Sequence, residues 1–198
     1  MDKTHSKTRL RILKVALKRF AYAGYAGVSV QDIVDDAKVT KPTLYYYFHS
    51  KAGLYQALVD RAHEERYRLM STAAATAQTF RDQLVAILAA FFEFLPKNRD
   101  LLRLSFATAF AAPGEVPEQI DYLKKGMTHF EFLKGLIQKE MSAGNLNPGF
   151  NSIELAMGFY GIMNVYVMGS LINPKAPIHN RRTAEKIVEL YLNGAGKP

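Results

Sequence analysis

The chain has 198 residues, 48% of them apolar and 22% charged, the balance of a globular protein with ample core. It contains no cysteine, which excludes a disulfide framework, a zinc-finger ligand set and a thiol nucleophile, and which fits a reducing cytoplasm. The net charge of +8 is uneven. Residues 1–51 carry +6 and the other 147 carry +2, so an anionic partner, with nucleic acid first, is expected at the N-terminal quarter.

The stretch MDKTHSKTRLRI is basic and runs straight into an amphipathic pattern, without the apolar core of a secretory leader. Strand alternation is nearly absent and helical spacing dominates, so an all-α fold of about nine helices is expected. Leu10, Leu13, Leu17 and Phe20 mark the apolar stripe of a helix over 7–23, with Arg11, Lys14 and Lys18 opposite and Gly24 as its C-cap. Ser29 and Asp32 form a capping pair for a short helix whose apolar face is Val30, Ile33, Val34 and Ala37. A third helix starts at Thr40, with Pro42 in its first turn, where a missing N–H costs nothing. Ser50 caps a longer helix over 51–77. Further helices are expected near 80–95, 98–111, 116–143, 151–172 and 179–194, broken by Pro96, the Ala112-Pro113-Gly114 turn and loops over 144–149 and 173–177.

Two short helices joined by two or three residues, after a longer first one, match a helix-turn-helix. At 100° per residue, Leu44 and Phe48 define the core side of the third helix. Pro42, Thr43 and Tyr46 fall opposite, Tyr45 and Tyr47 on the two flanks, and Lys41 at the N-terminal end. A recognition helix needs this division: groups reaching base edges in front, groups holding phosphates beside them, anchors behind. Thr43 can hydrogen-bond a base or touch a thymine methyl. Lys51 adds a charge beside helix N-terminal amides already suited to phosphate. An aromatic-rich packing helix is the competing reading of the same residues.

Phe20, Gly24, Tyr25, Ser29, Val30, Ile33, Ala37, Val39, Thr40, Thr43, Leu44, Tyr45, Tyr47, Phe48, Ser50, Lys51 and Leu54, at their spacing, resemble the TetR family of bacterial transcriptional regulators. The resemblance implies a helix-turn-helix DNA-binding domain over 1–52 and an antiparallel helical bundle over 53–198 for effector binding and dimerisation. It also implies that Ser29, Thr40, Lys41, Tyr45, Tyr47 and Lys51 grip the DNA backbone while Pro42, Thr43 and Tyr46 face the bases. The function implied is a cytoplasmic repressor, released from a palindromic operator when a small apolar or aromatic effector binds. Two departures stand out. Lys38 occupies a turn position where the family usually has glycine, so a left-handed backbone is expected there, at about 1 kcal/mol. Gly53 replaces a frequent acidic residue and leaves the cap of the fourth helix incomplete.

LAMGFYGIMNVYVMGSLI, over 155–172, has eighteen residues without a charge. Glu154, Asn164 and three glycines argue against a membrane span, so the helix is expected to be buried on all sides, partly by a second copy of the chain. Ala184, Ile187, Val188, Tyr191 and Leu192 stripe the last helix, and pairing the two helices gives a homodimer interface through Val165, Met168, Ile187, Val188 and Tyr191. A dimer would set two readers about one DNA turn (roughly 34 Å) apart. Phe91, Phe94, Phe106, Phe110, Tyr122, Met127, Phe130, Phe159, Met163 and Tyr166 are dense enough in aromatics and deformable methionines to suit an effector pocket, as well as ordinary core. His129 and Asn164 are its candidate polar contacts. No HExxH, second carboxylate–histidine set, GxSxG, P-loop or GxGxxG is present, so no catalytic residue, metal ligand or cofactor is expected.

Overall fold

The computed structural model describes residues 3–173, 175 and 179–195 of the chain. Among these the secondary structure is helical throughout, with nine α-helices: α1 Lys3–Ala23, α2 Val30–Ala37, α3 Lys41–Phe48, α4 Lys51–Ala75, α5 Phe80–Phe94, α6 Arg99–Ala109, α7 Tyr122–Ser142, α8 Ser152–Ile172 and α9 Arg181–Ala195. A single 3-10 turn, Leu95–Lys97, marks the break at Pro96. Of the expected 173–177 loop only Asn173 and Lys175 are described, and its prolines lie outside the described residues.

The chain divides into two compact units, Met1–Glu64 with Arg99–Leu123, and Glu65–Asn98 with Lys124–Pro198. The first has one core: Ile12, Leu13, Ala16 and Phe20 of α1, Ile33, Val34 and Ala37 of α2, Leu44 and Phe48 of α3, Leu54, Tyr55, Leu58 and Val59 of α4, and Leu104 of α6. The α1 stripe is therefore rotated from the expected one. Leu10 is 52% exposed on its shoulder, and Ile12 and Ala16 are fully buried in its place.

Tyr55 ties α4 to α6 in this core. Its hydroxyl lies 2.7 Å from Thr108 Oγ1, which itself donates to the Leu104 carbonyl, so the shared proton must come from Tyr55. The same ring packs edge-on against Phe20 and Tyr25, and its burial pushes the phenol above its ordinary pKa. The expected helix over 116–143 begins only at Tyr122. Before it, Ala112 donates to the Glu115 carboxylate and Ile120 to the Pro117 carbonyl, so a chain of turns takes the hydrogen bonds a first helical turn would need. Val116 and Ile120 pack on the core from those turns.

In the second unit, α5 buries Leu84, Val85, Ile87, Leu88, Ala89, Phe91 and Phe92, and packs along α9, whose buried residues include Ala184, Ile187 and Val188. α8 opens with a capping box in which the Asn151 side chain accepts from Glu154 N–H and the Glu154 carboxylate accepts from Asn151 N–H. It buries Leu155, Ala156, Phe159, Met163, Val167 and Leu171. In the single chain Ile153, Met157, Val165 and Ile172 are left as an open apolar face, 51–75% exposed.

Candidate nucleic-acid interface

α2 is started by a complete capping box: Ser29 Oγ accepts from Asp32 N–H, and the Asp32 carboxylate accepts from both the Ser29 N–H and the Ser29 hydroxyl. These bonds, with Arg19 nearby, hold the Asp32 carboxyl below its ordinary pKa. Lys38 ends the helix in the left-handed region, φ 49° and ψ 53°, as its place in the turn implies. The Val39 N–H then reaches back to the Val34 carbonyl, closing the last turn. Three residues separate the two helices, and Thr40 caps α3 by accepting from Thr43 N–H.

The division of α3 follows. Leu44 and Phe48 are buried, at 0% and 4% exposure, while Tyr46 stands 67% exposed and Tyr45 43%. Lys41 and Pro42 are exposed, and Thr43 and Tyr47 half-buried. Tyr46 and Tyr47 pack edge to face, centroids 5.1 Å apart, which fixes the direction of both rings. The Thr40 and Thr43 hydroxyls share one hydrogen bond of 2.9 Å, so one of their two protons stays available to an outside acceptor.

Two residues depart from a simple phosphate-grip picture. The Ser29 hydroxyl already donates to Asp32 at 2.6 Å, so it must change partner to donate to a phosphate. The Lys51 ammonium lies 4.2 Å from the Tyr25 ring centroid, and burial there lowers its pKa from the ordinary lysine value. One cation escaped the sequence reading: the Arg9 guanidinium sits 5.4 Å from the centroid of Phe48, the back anchor of α3. Arg9 falls between the stripe residues of α1, so only the packing of α1 on α3 reveals it.

Helices α3 and α4 meet at a tight junction. His49 has φ 63°, and Ser50 N–H folds back on the Phe48 carbonyl at 2.7 Å. Ser50 Oγ accepts from Gly53 N–H, giving half of a capping box. A Cβ at Gly53 would run into the Phe48 carbonyl oxygen. The missing acidic residue thus has a steric cause: this junction has no room for any side chain there.

The other sequence-assigned residues scatter. Of the pocket set, Phe106, Phe110 and Tyr122 lie in the first unit, and Phe91, Phe94, Met127, Phe130, Phe159, Met163 and Tyr166 in the second. Phe91, Phe159 and Met163 are buried, whereas Phe110 is 78% and Met127 52% exposed. Of the interface set, Val165 is 61% and Met168 36% exposed. Ile187 and Val188 are not on an exposed surface: at 4% and 0% exposure they are spent inside their own chain. Tyr191 is held inward too, its hydroxyl donating to the Leu155 carbonyl at 2.9 Å.

Residues 12–58 match the family model described as bacterial regulatory proteins, tetR family. The HTH-type transcriptional activator FasR of Mycolicibacterium smegmatis is 30% identical over 124 residues, covering 63% of this chain and 57% of that protein. The HTH-type transcriptional regulator TtgR of Pseudomonas putida is 40% identical over 58 residues, 29% of this chain and 28% of that one. The chain spans about half the length of several curated relatives it matches. In fold, it superposes with a TM-score of 0.74 on the transcriptional regulator FadR of Bacillus subtilis, solved with stearoyl-CoA, at 17% identity over 93% of this chain and 98% of that one. A capped two-helix unit, the family match over that unit and a shared fold along nearly the whole length agree: residues 12–58 are similar to the tetR family of bacterial regulatory proteins, and the chain as a whole shares the fold of a solved transcriptional regulator.

Proposed function

We propose that the protein is a homodimeric, ligand-responsive transcriptional regulator of the bacterial cytoplasm, which represses from a palindromic operator and is released by a small effector. The observation that carries this reading is α3: two buried anchors behind, and Pro42, Thr43 and the exposed Tyr46 in front. Ser29, Thr40, Lys41, Tyr45, Tyr47 and Lys51 hold phosphates around it, and Arg9 joins them. Lys51 moves from the Tyr25 ring to a phosphate on binding, exchanging a weak cation–π contact for a charge-assisted one.

Two chains associate through the open face of α8 together with α9, which places two readers on successive turns of DNA. The effector contacts come from the aromatic and methionine residues of the second unit. α4 begins in the first unit and ends in the second, so it is the covalent route by which an occupied site favours another reader spacing. Mobility shift against the DNA flanking the protein's own gene, at fixed salt, tests the reading. A retarded band that random DNA does not compete away supports it, and equal binding to both sinks it. Deletion of the gene raises transcription from the bound promoter if the sign is repression, and lowers it if the protein activates, as FasR is named for doing.

A further inference from the structure

Arg66 is the cation of the second unit whose surroundings call for an explanation. It lies on α4, half-buried, with its guanidinium carbon 5.4 Å from the Phe91 ring centroid and 4.8 Å from that of Tyr160. Its Nη2 donates to Asn164 Oδ1 at 2.7 Å. Its Nε is buried and has no hydrogen-bond partner, and none of the ion pairs among the described residues involves it. The Asn164 side chain makes no other hydrogen bond among the described residues, which leaves its amide NH2 as a second idle donor beside the first.

A guanidinium carries five N–H donors in a planar fork. Aromatic faces ease the charge but accept almost none of those protons. A methionine or leucine would pack against Phe91 and Tyr160 without the desolvation cost of an uncompensated charge. The arrangement is therefore poor as core and apt as a receptor: a fork and an amide, both with donors to spare, set among aromatic rings. Tyr160 in turn packs edge-on against Phe130, and Phe91 and Phe130 both belong to the aromatic set assigned to the effector site.

We propose that Arg66, helped by Asn164, is the anion-binding residue of the effector site, and that the effector is an apolar or aromatic body bearing one carboxylate or phosphate head. The proposal rests on the effector reading above and narrows its chemical class from apolar to amphipathic and anionic.

The test uses two matched series, octanoate, octyl phosphate and octanol, and 1-naphthoate, 1-naphthyl phosphate and 1-naphthol. Each is titrated calorimetrically into the full-length protein, the Arg66→Met variant and the Arg66→Lys variant, with operator release followed in parallel. In at least one series an anionic member should bind about tenfold or more tightly than the alcohol, the yield of one charge-assisted hydrogen bond. Arg66→Met should erase that preference and leave the alcohol's affinity unchanged, and Arg66→Lys, which keeps the charge but loses the fork, should retain part of it. The carboxylate and phosphate arms identify the head.

Alcohols binding as tightly as the anions in both series would overturn the proposal, as would an Arg66→Met variant that keeps the preference or a failure of every anion to bind. If Arg66→Met does not fold, an undiminished preference in Arg66→Lys overturns it. Alcohols that release operator where anions do not would sink the anion site and leave the effector reading standing. Anions that bind through Arg66 without releasing operator would do the reverse.

Discussion

Tyr45, Tyr46 and Tyr47 are consecutive and chemically identical, yet they occupy three environments, because each step around a helix is 100°. Only Tyr46 stands fully forward. Tyr46→Ala should therefore change which operator variants are preferred, read as altered relative affinities across single-base changes. Lys51→Ala should weaken specific and random DNA alike and reduce the salt slope of binding by about one. Equal losses on both DNAs for Tyr46→Ala would remove it from base reading. Gly53 carries a prediction of unusual sign. Helix propensity says that Gly53→Ala stabilises α4 by about 1 kcal/mol. The Phe48 carbonyl stands where the new methyl would go, so the variant should instead lose roughly 2 kcal/mol, seen as a lower midpoint in urea, and lose operator affinity with it.

Among the elements, α2 shows how a short helix is made to persist. Eight residues are far below the length at which helices hold alone, so its capping box and its buried Ile33, Val34 and Ala37 must fix it. Ser29→Ala should lower the melting temperature by roughly 2–4 °C at neutral pH. Asp32 adds a pH signature. Its carboxyl titrates below the unfolded value, so its contribution is fully present above the ordinary carboxylate range and disappears as the pH falls through the lowered pKa. The gap between wild type and Ser29→Ala should narrow in acid, to the part owed to the Asp32 N–H bond, as melts from neutral pH downward would show; a gap constant with pH would remove the Asp32 carboxylate from the cap's contribution.

Much of this was legible in the sequence because it is local. The S-x-x-D box, the Thr40 cap, Pro42 in the first turn and the pairing of Leu44 with Phe48 all depend on residues within four of each other. What the sequence could not carry is long-range. The rotation of the α1 stripe toward Ile12, the burial of Ile187 and Val188 and the stacking of Arg9 on Phe48 are each decided by a partner far along the chain. Arg66 reads as one more surface arginine until Phe91, Tyr160 and Asn164 converge on it.

For the whole molecule, the open face of α8 is the surface on which the proposed dimer rests. Ile153, Met157, Val165 and Ile172 stand 51–75% exposed along it, and exposed apolar surface of this kind marks interaction sites. Met157→Glu should shift the protein from dimer to monomer in sedimentation. Loss of the partner should also remove the steep operator binding that two linked readers produce, while a single reader keeps its weak, salt-sensitive affinity for DNA. A Met157→Glu protein that remains dimeric would place the interface elsewhere.

The hydrogen bond between Tyr55 and Thr108 bears on how such regulators can be recombined. The family match ends at residue 58, and a natural place to cut would be just there or at the cap of α4. Yet the reader's core closes only with Leu104, and Thr108 receives the Tyr55 proton from a helix some fifty positions downstream. A graft of the N-terminal segment onto another regulator's body would leave Tyr55 without its acceptor and the core without a wall, unless the recipient supplied an equivalent of α6. Specificities in this scaffold are therefore exchanged more safely by rewriting the forward face of α3 in place than by transplanting the segment that contains it.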